Sequence, residues 1–320
     1  MRMKAREDII YLDAAELRRL LPYDRLIDVL LRDLSGDISC PSRSSFQVAG
    51  GGNELLTMPA WTDDGPIGVK LVTIFPGNSA RAMPGVHSSY VLFAGNNGRP
   101  LAVIDGTELT FRRTAAICAL ATRLFSAPGP GRLAMLGTGG LAPHIVQAHV
   151  DTGLVREVVI WGRRDEAARQ AASALADMGI EVSTSAAAEE AVRGADIVVC
   201  ATSAERPILR SEWVADTAHV NLMGSYAPNM QEAESALIAR ARVFADSREA
   251  VMQEAGDILR PIAEGVVAKD CIEADLVELS RRFHYERQPG RPTVFKSVGW
   301  GALDLIASSE AVRGRLPAVA

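Results

Sequence analysis

No apolar run in this 320-residue chain approaches the roughly 20 residues of a membrane-spanning helix, so none is expected. The opening stretch, "MRMKAREDIIYLDAAEL", lacks the long apolar core and small-residue cleavage site of a secretory signal. Positive charge is not in excess. With 34 Lys and Arg against 39 Asp and Glu, the net charge of −5 offers no basic field for nucleic acid. Cysteine is scarce: Cys40, Cys118, Cys200 and Cys271 lie far apart and form no CxxC pair. That usage points to reduced, mostly buried thiols in a cytoplasmic protein. The five histidines show no metal-ligand spacing, and His144 and His149 are five apart, on different sides of any helix. No metal site is expected. What remains is an ordinary globular composition, 48% hydrophobic and 23% charged, long enough for two domains with ample core.

The middle of the chain alternates between short apolar runs and helical patterns. "RLAMLG", "EVVIWG", "IEVSTS", "ADIVVCAT", "AHVNLMG" and "RVFADS" read as strands, with alanine-rich or amphipathic helices between several of them. This alternation predicts a parallel sheet covered on both faces over about 126–294. The first part differs. Helical patterning from Ala14 to Leu34 gives way to strand-like pieces, with hairpin signals at Gly50-Gly51-Gly52-Asn53 and Gly95-Asn96-Asn97-Gly98. A mixed α+β unit is expected over 1–125. The stretch Pro128-Gly129-Pro130-Gly131 leads into the middle domain, and the tail helix "SVGWGALDLIASSEAVRG" is expected to pack back on the first one. The domains are therefore 1–125 plus 295–320, and 126–294.

"MLGTGGLA" places Gly137-x-Gly139-x-x-Ala142 directly after a strand and at the start of a helix. That context is what a dinucleotide-binding fingerprint requires. Gly137 permits the tight turn, Gly139 lets a pyrophosphate approach, and Ala142 lets helix and strand lie close. The loop Gly137, Thr138, Gly139, Gly140, Leu141 and Ala142 is the candidate phosphate cradle, with the helix N-terminus facing it. The second strand then ends in "IWGRR". NAD enzymes usually carry Asp or Glu there for the ribose hydroxyls. Here Arg163 and Arg164 stand instead, which suits a 2′-phosphate, so NADP(H) is expected over NAD(H). The other reading leaves both arginines as solvated residues opening the next helix, and it weighs more on Arg164. Thr202 and Ser203 after the fourth strand, and Met223, Gly224 and Ser225 after the fifth, are further candidates for the cofactor.

"GVKLVTIFPGN" poses a different problem. Lys70 sits inside an apolar strand and must either snorkel to water or be held there for a purpose. Together with "LTFRRTAAICALA", "LGTGGLA" and "TVFKSVG", in that order over nearly the whole chain, it resembles the ornithine cyclodeaminase/μ-crystallin family. The resemblance implies a Rossmann domain inserted into an α+β substrate-binding and dimerisation domain, and a homodimer. It implies a nicotinamide cofactor and small α-imino or α-amino acid substrates. Cyclodeaminases, alanine dehydrogenases and ketimine reductases all belong there. By that likeness Arg43, Lys70 and Arg113 face the substrate carboxylate, and Lys70, or a water ordered by it, is the candidate proton source. A lysine partly buried between cations can shift its pKa toward such a role. Arg112 points about 100° away from Arg113 on a helix and is expected to be structural or to lie near the cofactor. Met58 is expected on the pocket wall. His87 is either a pocket residue or a structural histidine. Ser297 and Gly299 stand where the family closes the nicotinamide site.

One departure matters. Cyclodeaminases of the family resemble "G-x-D-x-P-x-x-x-E" after the fifth strand, and the aspartate there handles the second amine. This chain reads "GSYAPNMQE", with Tyr226 in its place and Pro228 and Glu232 retained. A neutral phenol cannot pair with a cationic amine as a carboxylate can. The expectation is therefore reduction of a preformed cyclic imine, Δ1-pyrroline-2-carboxylate or its six-membered homologue, to L-proline or L-pipecolate, with Tyr226 at the substrate, covering the ring or donating through its hydroxyl. The alternatives are an ornithine or lysine cyclodeaminase, an alanine-type dehydrogenase or N-alkylamino-acid synthase, and a non-catalytic NADPH or small-ligand binder.

Overall fold

The computed structural model describes residues 9–50, 52–81, 83–281, 288, 290–313 and 315. The chain divides into two compact units, 1–113 with 301–320, and 114–300. The first boundary falls inside a helix, ahead of the Pro-Gly-Pro-Gly stretch where composition changes.

The first unit opens with β1 (Ile10–Leu12), α1 (Ala14–Leu20) and α2 (Tyr23–Asp33). Asp13 caps α1 through a reciprocal box with Glu16. The strands β2 (Ser44–Gln47), β3 (Glu54–Trp61), β4 (Ile67–Ile74), β5 (Val86–Phe93) and β6 (Pro100–Asp105) follow, then α3 (Gly106–Phe125). They form one sheet in the order β1-β6-β5-β4-β3-β2, antiparallel except for the β1–β6 pair. The glycine-rich turns close the β2–β3 and β5–β6 hairpins, as their composition predicts. Alternation along each strand sends Leu56, Met58 and Ala60 of β3, Gly68 and Lys70 of β4, and Tyr90 and Leu92 of β5 into the interior.

The second unit is a parallel sheet. Its elements are β7 (Gly131–Leu136), α4 (Leu141–Asp151), β8 (Val155–Trp161), α5 (Asp165–Ala174), β9 (Glu181–Thr184), α6 (Ala188–Val192) and β10 (Ile197–Cys200). They continue with β11 (His219–Leu222), α7 (Ser235–Arg240), β12 (Arg242–Ala245), α8 (Arg248–Glu254), α9 (Gly256–Ala263), β13 (Ile272–Asp275), α10 (Leu276–Arg281) and β14 (Thr293–Lys296). The order is β13-β12-β14-β11-β10-β7-β8-β9, with every pairing parallel. Strands β10, β11, β12 and β14 are buried throughout, as a sheet covered on both faces requires. The chain runs one way from β7 to β8 and β9, and the other way from β10. The crevice between β7 and β10 is therefore the topological switch point, where open α/β sheets bind ligands.

The last helix, α11 (Gly301–Val312), belongs to the first unit and packs on β3, β4, β5 and α2. Nearly all of it is buried, including Asp304, Ser308 and Glu310. A helix that is apolar almost all round must lie inside the protein, and each charge on it then needs a partner.

Candidate functional site

The question raised by Lys70 has its answer within the first unit. Lys70 is 3% exposed. Its Nζ donates to Oδ2 of Asp304 at 2.7 Å, and the Nε of Arg113 donates to Oδ1 of the same carboxylate at 3.0 Å. All three side chains are buried, so Asp304 bridges two cations away from water. Burial drives the Lys70 pKa down to about 8; Asp304 opposes that shift, while the charges of Arg113 and Arg43 add to it. Burial alone would raise Asp304, but Arg113 and Lys70 outweigh it and hold the carboxyl below its ordinary range. Lys70 and Asp304 thus form an ion pair at neutral pH, with Arg113 on the second oxygen of the same carboxylate. Asp304 takes one of the three Nζ protons of Lys70 and the Nε proton of Arg113. The other Nζ protons of Lys70 and the terminal nitrogens of Arg113 are further donors beside that carboxylate.

The strands set this geometry. Met58 of β3 and Tyr90 of β5 stand directly opposite Lys70 on either side. Burial pushes the Tyr90 phenol up, so it stays neutral. Its ring lies over Gly68, where a Cβ would collide with the ring and hydroxyl. Arg112, the neighbour of Arg113, donates to the Leu21 carbonyl through Nε at 2.8 Å and stacks over Tyr23 at 4.2 Å. It is a structural clamp on the α1–α2 turn, as its helical direction implies.

The second unit carries a cavity of about 810 Å³ at the switch point. It is lined by the turn Gly137–Gly139, by Trp161 at the end of β8 with Gly162, Arg163 and Arg164 after it, and by the segment from Ala201 to Arg206 after β10. Gly137 has φ of +130°, and a Cβ there would strike the Ala201 backbone. At Gly139 a Cβ would meet nothing within 4 Å, so the backbone stands open to the cavity. These residues fit a dinucleotide: open backbone for a pyrophosphate, a helix start beside it, and arginines where a ribose 2′-substituent ends. Glu205, after β10, is the carboxylate in the lining.

Lys70, Arg113, Met58 and Arg43 therefore share one neighbourhood, and Gly137, Thr138, Gly139, Arg163, Arg164, Thr202 and Ser203 share one cavity. Other expected residues do not join them. His87 is exposed and falls on the opposite face of the sheet from Lys70, because it is three residues from Tyr90 and alternation turns it away. Gly140, Leu141, Ala142, Met223, Gly224, Ser225, Ser297 and Gly299 do not line the cavity. Ser297 donates to the buried Asp246 at 2.6 Å, and the Gly299 amide donates to the same oxygen at 3.0 Å. The Ser225 hydroxyl donates to the Met230 carbonyl. Tyr226 is 47% exposed and lies outside the cavity lining. Two residues escaped the motif reading: Asp304, the counter-ion of Lys70, and Arg206, a third arginine on the cavity wall. Asp304 had a signal, a lone acid in the otherwise apolar run "ALDLIAS". Among the described residues no group of three or more His, Cys, Asp or Glu could hold a metal ion, and no helix is long and apolar enough to cross a membrane.

Known proteins share this architecture and much of its sequence. The Δ1-pyrroline-2-carboxylate reductase of Colwellia psychrerythraea is 34% identical over 312 residues, spanning 94% of this chain and 98% of its own. The ketimine reductase mu-crystallin of Mus musculus is 36% identical over 277 residues, covering 85% of this chain and 84% of its own. Among solved structures, the Thermococcus litoralis Δ1-pyrroline-2-carboxylate reductase, in complex with NADH and L-proline, superposes with a TM-score of 0.89 at 28% identity. That match covers 95% of this chain and 96% of the other. The ornithine cyclodeaminase/mu-crystallin family pattern extends over residues 16–317, and the chain belongs to that family.

Proposed function

We propose that this chain is an NAD(P)H-dependent reductase of a cyclic α-imino acid, Δ1-pyrroline-2-carboxylate or its six-membered homologue, forming L-proline or L-pipecolate. The observation that carries the reading is the buried cluster of Lys70, Arg113 and Asp304, whose remaining donors fit a small carboxylate. Arg113 holds that carboxylate and Arg43 adds positive charge. Met58 and Tyr90 close the apolar wall on either side of Lys70. When bound, the reduced nicotinamide supplies a hydride. The imine carbon accepts it, and the ring nitrogen accepts one proton. Lys70 is the donor of that proton, since its pKa of about 8 keeps it charged yet ready to give the proton up near neutral pH. Water then reprotonates it.

NADP(H) is the preferred cofactor. Arg163 and Arg164 follow β8, and Arg206 lines the same cavity. Guanidinium groups suit a 2′-phosphate, and the position after β8 carries no acid to repel it. Ring closure from ornithine is disfavoured because Tyr226 stands where cyclodeaminases carry an acid. A second copy of the chain is the partner. The sheet face opposite Lys70 exposes Tyr11, Phe46 and Leu71 and leaves Val69, Val91 and Val103 only half-buried. Such an apolar face suits a homodimer. Four free thiols suit a reducing, cytoplasmic setting.

The test follows NADPH and, separately, NADH absorbance with purified protein and Δ1-pyrroline-2-carboxylate. Imine-dependent oxidation, faster with NADPH, is expected. No oxidation with either cofactor, alongside ammonia release from ornithine with NAD+, would replace this reading with the cyclodeaminase one.

A further inference from the structure

The second unit contains a charged cluster that the proposed chemistry does not use. Glu232, Asp257 and Lys296 are all fully buried. Burying two carboxylates and one ammonium is expensive, so their arrangement calls for a reason. Glu232 accepts through Oε1 from the Thr202 amide at 2.7 Å and from the Thr202 hydroxyl at 2.9 Å. Its Oε2 accepts from the Gly224 amide at 2.7 Å. Its backbone carbonyl accepts from Ile208 at 2.8 Å and Leu209 at 3.0 Å. The next residue back, Gln231, donates its amide to Ala204 at 2.9 Å. Glu232 thus fastens both ends of the segment 202–208, most of which lines the cavity.

The other two charges hold Glu232 itself. Asp257, at the start of α9, accepts from the Glu232 amide at 2.7 Å and the Ala233 amide at 3.1 Å through one oxygen. Its second oxygen lies 3.1 Å from the Lys296 Nζ, and Lys296 also donates to the Leu222 carbonyl at the end of β11. Gly224 completes the fit, since a Cβ there would collide with Thr202 and with the Glu232 carboxylate.

We infer that Glu232 is a positioning residue for the dinucleotide: its carboxylate and backbone fix the 202–208 wall of the cavity, with Asp257 and Lys296 anchoring it. This rests on the reading of that cavity as a cofactor site. The carboxylate receives three N–H or O–H donors, and a proton on either oxygen would oppose one of them. Burial raises Glu232 to about 7, with Lys296 opposing and Asp257 adding to the rise. The groups facing it are Lys296 on β14, Asp257 on α9 and the Cys200 thiol on β10, which burial holds protonated. Acidification through neutrality therefore loosens the wall.

The experiment titrates NADH into the full-length protein by nucleotide fluorescence between pH 6 and pH 8. NADH is the probe because it lacks the 2′-phosphate, which would titrate in the same range. The wild type is expected to bind less tightly as pH falls through about 7. Glu232→Gln is expected to weaken NADH binding about tenfold at pH 8, as befits one lost charge-assisted bond, and to flatten the pH dependence. A folded Glu232→Gln protein with wild-type affinity and an unaltered pH profile overturns the inference. If that variant does not fold, a flat wild-type profile overturns it instead. A wild type that binds neither NADH nor NADPH overturns the cofactor reading as well, which separates the two failures.

Discussion

A lysine inside an apolar strand is a chemical problem before it is a functional one. The solution at Lys70 is a single acid, Asp304, shared with Arg113. Replacing Lys70 by Met should leave the fold intact, since Asp304 keeps Arg113, and should lower kcat for imine reduction by about 10²- to 10⁴-fold, the usual range for a lost proton donor. Steady-state kinetics with saturating cofactor measure it. Asp304→Asn should act differently. It leaves two buried cations without their counter-ion, at a cost of about 3–5 kcal/mol in chemical denaturation. It should also move the alkaline limb of the rate profile. In the wild type activity should fall as pH rises through about 8, where Lys70 loses its proton. Without Asp304, burial and Arg113 act unopposed, so that limb should shift to lower pH. Lys70 and Arg113 could be found from their motifs. Asp304 could not, because the pairing spans 234 residues of sequence and only the packing of α11 on the sheet brings it about. His87 shows the converse: its motif was visible, but strand parity turns it to the other face.

Elements were easier to read than contacts. The central parallel strands of the second unit hold short apolar runs, which burial on both faces makes stand out, whereas β9 (EVST) and β13 (IEAD) at the sheet edges are polar and partly exposed. Two hairpins of the first unit, β2–β3 and β5–β6, announced themselves by their glycines. The unit boundary inside α3 did not, because a continuous helix carries no break in pattern where its packing partners change. The turn after β7 is the element on which cofactor binding hinges. Gly137→Ala would force φ of +130° on a residue with a Cβ and drive that atom into the Ala201 backbone. The outcome expected is loss of NADPH binding in a direct titration, together with a lowered melting temperature. Retention of wild-type affinity would mean that the turn is more adaptable than its contacts imply. The cavity wall after β10 was legible only in part. Thr202 and Ser203 follow from their place after a strand, but Arg206 lies on an irregular segment that no periodicity governs.

For the molecule as a whole, the sheet of the first unit has one face under α11 and one face open. Leu71→Glu puts a carboxylate in the middle of the open face while leaving Lys70, its neighbour on the other side, in place. If two copies pair through this face, light scattering should record a shift from dimer to monomer. An unchanged mass at micromolar concentration would assign dimerisation elsewhere. The near-continuous apolar run of β4 carries no alternation that marks one face as open, and which face is left open depends on where α11 comes to rest.

The position of α11 along the chain also imposes an order on biosynthesis. The strand bearing Lys70, and Arg113 itself, leave the ribosome before the second unit, and Asp304 follows that unit. Until it arrives, the interior of the first unit holds cations with no carboxylate to neutralise them and a sheet face with no helix over it. The second unit, continuous in sequence, is free to fold during synthesis. The first can finish only afterward, so translation itself delays the assembly of the charged cluster until the cofactor-binding half has been made.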